Sequence, residues 1–102
     1  MTIELGIKEL PVDTLERFLI IIERNIRKYI DSQVDPKDLL DFEISAEINQ
    51  EDTLSIDIEV SLEINDISSA ELNELIEQAI DKAENAITSE LKNLKLKDFN
   101  QT

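Results

Sequence analysis

Residues 41–64 read DFEISAEINQEDTLSIDIEVSLEI, and the alternation of apolar with polar side chains in this stretch decides the fold class. Phe42, Ile44, Ala46 and Ile48 alternate with Glu43, Ser45, Glu47 and Asn49. After Gln50-Glu51-Asp52 the rhythm resumes through Leu54, Ile56, Ile58, Val60, Leu62 and Ile64. Successive side chains of a strand point to opposite faces, so this pattern predicts two strands, each with one apolar and one polar face. A short polar connection makes them an antiparallel hairpin. Pairing residues of like parity keeps all the apolar side chains together. Matching Ile48 with Leu54 then sets Ile44 opposite Ile58 and Glu43 opposite Glu59.

A helix flanks the hairpin on each side. Upstream, Asp13-Thr14-Leu15-Glu16 follows Pro11 and has the form of a capping box, which predicts a helix from there to about Ser32. Leu15, Phe18, Leu19, Ile22, Ile26, Tyr29 and Ile30 form its buried stripe. Ile20 points to the opposite face beside Arg17, Arg24 and Arg27, and Ile21 lies at the flank. Asp35-Pro36 ends the helix, because the residue before proline is pushed out of the α region, and the chain turns through Lys37-Asp38. Downstream, Ser68 and Glu71 make a second capping box, with Ile67 and Leu72 as a hydrophobic staple. The stripe that follows is Leu72, Leu75, Ile76, Ala79, Ile80, Ala83, Ile87, Leu91 and Leu94. Lys92, Lys95 and Lys97 sit where cations favour a helix C-terminus.

These elements predict one two-layer α+β domain spanning residues 1–102, in the order helix, strand, strand, helix. Both helices lie on one face of the antiparallel hairpin, burying Phe18, Ile22, Ile44, Ile56, Ile58, Val60, Ile76 and Ile80 together. Two helices side by side are wider than a two-stranded ribbon, so apolar helix surface overhangs. Residues 1–10 can cover it as an extended strap or a third, edge strand, since Thr2-Ile3-Glu4-Leu5-Gly6-Ile7 alternates as a short strand does. A second copy of the chain or another partner can also cover it.

Composition excludes much chemistry. The 102 residues contain no Cys and no His, which removes thiol and imidazole catalysis and the usual zinc and iron–sulfur ligands. The single glycine, Gly6, rules out a glycine-rich phosphate loop. No apolar run approaches the length of a membrane span, and the N-terminus lacks the form of a signal peptide, so the expected compartment is the cytoplasm. Richness in Ile, Glu and Leu with little Met fits a thermophile. Charge is concentrated: Asp38 to Asp81 carries fourteen acids and no Lys or Arg, matching the net charge of −14. That field opposes nucleic acid and anionic membranes as partners.

The order of elements, the acidic hairpin Asp41-Phe42-Glu43-Ile44-Ser45 to Ser55-Ile56-Asp57-Ile58-Glu59-Val60, and the helix start Ile67-Ser68-Ser69 together resemble a small archaeal family known as domain of unknown function 3194. The resemblance covers nearly the whole chain beyond the first ten residues and implies two helices packed on one side of a β-hairpin. It brings no activity, cofactor or catalytic residue with it.

Two surfaces are candidates for function. The outer hairpin face carries Glu43, Glu47, Asp57, Glu59 and Glu63 without a basic residue. It suits docking of a basic partner, a hard divalent cation, or simply solvation that discourages edge aggregation. The outer face of the first helix gathers Arg17, Arg24, Arg27 and Lys28 around Ile20, with Ile21 beside it. Local pairing of Asp13 with Arg17 and of Glu23 with Arg27 accounts for much of that charge. No nucleophile and base are arranged for catalysis. The expectation is a non-catalytic interaction protein, a small acidic subunit or adaptor that needs no cofactor and works with a protein partner or as a homodimer. The alternative is a carboxylate-dependent divalent-metal protein or enzyme built on the acidic hairpin face.

Overall fold

In a computed structural model the backbone is described for residues 1–100 and the side chains for residues 1–94. The chain forms β1 (Thr2–Glu4), α1 (Val12–Gln33), a 3-10 turn (Pro36–Asp38), β2 (Leu39–Gln50), β3 (Leu54–Ile64) and α2 (Ser69–Asn100). The strands make one antiparallel sheet in the order β1-β3-β2, and the helices complete a two-layer α+β fold. The N-terminal segment is therefore a third, edge strand, with Ile3 paired to Ile56 and Met1 exchanging backbone hydrogen bonds with Ile58. It leaves the sheet at Gly6, whose φ of +67° lets Leu5 N–H donate to the Leu54 carbonyl while the Ile7 carbonyl accepts from Leu54 N–H.

The hairpin register differs from the sequence expectation by two residues. Ile48 pairs with Ile56, Ile44 with Val60 and Ala46 with Ile58, so Ile44 does not face Ile58. Parity is preserved, which keeps the apolar face intact, and the difference lies in the turn. Gln50 and Leu54 close the ladder, Glu51 N–H donates to the Thr53 carbonyl, and the three-residue loop shifts by one position to Glu51-Asp52-Thr53. Periodicity specifies the face of each residue but leaves slips of two residues nearly degenerate, and turn geometry then selects among them.

Helix α1 begins one residue before the expected capping box. Pro11 is the N-cap residue, its carbonyl accepts from Leu15 N–H, and no side chain caps the end. Asp13 lies inside the first turn, where it favours the positive end of the helix dipole without a capping bond. The α2 cap is as expected: Ser68 Oγ accepts from Glu71 N–H at 3.2 Å. The 3-10 turn is held by Asp35, whose carboxylate accepts from Lys37 N–H. Lys95 and Lys97 lie outside the residues whose side chains are described.

A single core joins the layers. Phe18, Ile22, Ile26 and Ile30 of α1, Leu54, Ile56 and Ile58 of β3, and Ala79, Ile80, Ala83 and Ile87 of α2 are buried with Ile3 and Leu5. Of the core expected from sequence, Ile44, Val60 and Ile76 are only half-buried. Packing is the reason: α1 lies chiefly against α2 and α2 against β3, while α1 meets β2 over a short stretch. Phe42, Ile44, Ala46 and Ile48 are consequently covered only in part.

Candidate interaction surface

From Asp41 onward, past the bulge that turns Leu39 inward and leaves Leu40 exposed, the antiparallel ladder places the odd-numbered residues of β2 and β3 on the face away from the helices. Across it Asp41 stands opposite Glu63, Glu43 opposite Ser61, Ser45 opposite Glu59, and Glu47 opposite Asp57. The register thus replaces the expected Glu43–Glu59 pair by two other acid–acid pairs, Asp41–Glu63 and Glu47–Asp57. Glu4 of β1, opposite Ser55, extends the field across the third strand. Seven carboxylates share this face, and no Lys or Arg stands on any of its three strands. Sequence reasoning named five of them. Asp41 falls outside that set because the apolar alternation starts only at Phe42, and Glu4 because β1 joins the sheet only through tertiary pairing.

These acids are not equivalent. Asp57, on the central strand, accepts from Thr2 Oγ1 on one side and from Asn49 Nδ2 on the other, so its carboxylate ties all three strands together. Glu43, Glu47, Glu59 and Glu63 are exposed, and among the described residues none of these four forms an ion pair. Nor do any three acidic side chains converge closely enough, among the described residues, to hold a metal ion.

The two candidate apolar residues of α1 part company. Ile20 is 53% exposed and stands among Glu23, Arg24, Lys28 and Asp31. Ile21 turns inward and packs against the core, and its carbonyl accepts from Asn25 Nδ2. The charges around Ile20 are partly paired as the sequence suggests: Glu23 and Arg27 approach to 3.0 Å. Arg17, however, reaches Glu90 of α2 at 3.8 Å rather than Asp13, because α2 brings an acid to its outer flank. The Arg27 guanidinium also lies 5.3 Å from the Phe42 ring centre, a cation–π contact between α1 and β2.

A feature that periodicity did not reveal is a cleft of about 760 Å³ between the layers. Phe42, Ile44, Ile58 and Val60 line it from the sheet, and Arg27, Ile76 and Ile80 from the helices. It lies where α1 and α2 fail to cover β2.

These features define a small two-layer α+β domain with a bare acidic sheet face. The chain belongs to the family described as Protein of unknown function (DUF3194), which matches residues 7–90. That match leaves β1 outside its range. An uncharacterized protein of Pyrococcus furiosus is 33% identical over 92 residues, which is 90% of this chain and 83% of the relative. A crystal structure from Thermococcus onnurineus NA1 superposes with a TM-score of 0.80 at 25% identity, covering 95% of this chain and 94% of the other. The solution structure of a hypothetical protein from Methanothermobacter thermautotrophicus shares the fold, with a TM-score of 0.70 at 23% identity, over 85% of this chain and 94% of the other.

Proposed function

We propose that this protein is a non-catalytic interaction module, a small acidic subunit or adaptor that docks on a basic surface of another protein through the open face of its sheet. One observation carries the reading. The face combines seven carboxylates with no cation, and two acid pairs stand directly opposite each other. Like charges directly opposed destabilise a strand pair, so the arrangement is not one that stability favours. A cationic partner relieves that repulsion on binding, and complementary fields of this kind chiefly speed and select the encounter. No helix of the described residues is long and apolar enough to cross a membrane.

The test is affinity capture from the host cell with the wild type and with Glu43→Lys/Glu59→Lys, followed by reconstitution of the captured protein with each. Support is a purified basic protein whose affinity for the wild type falls with added salt and is lost with the double variant. A partner that binds both proteins equally overturns the reading.

A further inference from the structure

β2 is an edge strand of the sheet, paired on one side only among the described residues. Met1 and Ile58 exchange backbone hydrogen bonds, and Leu5 N–H donates to the Leu54 carbonyl, so the even-numbered residues of β3 direct their amides toward β1. Its odd-numbered residues are left to bond β2, and in the observed register they meet odd-numbered residues there. The N–H and C=O groups of Phe42, Ile44, Ala46 and Ile48 therefore point out of the sheet at its far edge, where β2 is the last strand. The bulge between Leu39 and Asp41 ends this regular edge at one extremity, and the Glu51-Asp52-Thr53 loop ends it at the other.

Both faces of that edge specify what can pair with it. On the inner face, Phe42, Ile44, Ala46 and Ile48 are half-buried, the first two beside the open cleft, so an incoming strand needs apolar side chains on that side. On the outer face stand Asp41, Glu43 and Glu47, so it needs cations on the other. A second copy of β2 fits the first requirement and fails the second, because it sets acids against acids. Building on the basic-partner reading above, we propose that the β2 edge accepts an antiparallel extended segment of the partner in which Lys or Arg alternates with aliphatic residues. The ladder hydrogen bonds supply affinity, and the alternation of side chains sets specificity.

The probe is a short synthetic peptide alternating lysine and valine, titrated at low salt and followed by amide chemical shifts of the full chain. Saturable shifts centred on Phe42 to Ile48 are expected, with affinity falling about tenfold or more in Glu43→Lys/Glu47→Lys, the equivalent of about 1.4 kcal/mol or more. In an antiparallel ladder the valines directly opposite Ile44 and Ala46 present their N–H groups to β2. N-methylation of the valines should abolish binding, whereas N-methylation of the lysines should leave it within about twofold. Equal binding by both methylated peptides overturns strand addition while leaving docking on the acidic face intact. No binding by the unmodified peptide also overturns strand addition, and the capture experiment then judges the broader reading alone. A concentration-dependent shift of the same amides in the protein by itself makes a second copy the occupant and overturns the cationic segment.

Discussion

Glu47 and Asp57 stand directly opposite each other on the open face of the sheet, yet only Asp57 is engaged, by Asn49 of its neighbour strand and Thr2 of β1. Two acids at adjoining positions therefore have opposite effects on stability. Removing the charge of Glu47 relieves repulsion at no structural loss, so Glu47→Gln should stabilise the fold by about 0.5 kcal/mol. Asp57→Ala removes the acceptor for both neighbours and should destabilise by about 1–2 kcal/mol. Urea denaturation of the two variants checks the pair, and equal effects would contradict the assignment.

The uneven cover of the sheet sets the cost of core truncations. Ile58 is fully buried, and Ile58→Ala should cost about 2–5 kcal/mol. Ile44 lines the open cleft and is half-buried. Its replacement by Ala should cost roughly half as much, because less apolar area returns to water. Comparable losses at the two positions would show that the cleft is closed in solution.

Helix caps offer a second contrast. Ser68 caps α2 through its hydroxyl, so Ser68→Ala should cost about 1 kcal/mol. Asp13 makes no capping bond, and Asp13→Ala should cost only about 0.3 kcal/mol through the helix dipole. Thermal or chemical denaturation at one salt concentration measures both.

Salt should stabilise the protein. With a net charge of −14 and an uncompensated sheet face, screening of like charges lowers the energy of the compact state. Raising ionic strength from low to physiological should lift the thermal midpoint by about 2–5 °C, and Glu43→Gln/Glu59→Gln should reduce that response. An unchanged midpoint would mean the face is neutralised by other means.

Ile20 tests self-association through α1. It is exposed and outside the core, so Ile20→Glu should change stability by less than about 0.5 kcal/mol. Sedimentation of the wild type and the variant, at low and high salt, should show the same oligomeric state, since the proposed docking uses the sheet and not this helix face. Dissociation caused only by the variant would move the interface to α1.

Most of the architecture was legible from residue order. The alternation from Phe42 to Ile64 names the two long strands and the face of each residue, because strand side chains have a strict period of two. The stripe from Phe18 to Ile30 and the Ser68 cap place the helices by equally local rules. The acidic face was legible for the same reason, since five of its carboxylates follow from parity alone.

What the tertiary structure alone decided are matters of pairing and cover. Parity does not distinguish Ile48–Leu54 from Ile48–Ile56, and the loop and the packed helices choose between them. The Asp57 clasp exists only because β1, far away in sequence, pairs with β3 and brings Thr2 to the opposite side from Asn49. The half-open inner face of β2 depends on α1 leaning on α2 rather than spreading across the sheet, a balance of packing areas that no local pattern encodes. Sequence therefore determined which side of each element is apolar, and only the three-dimensional packing decided how much of that apolar surface is covered.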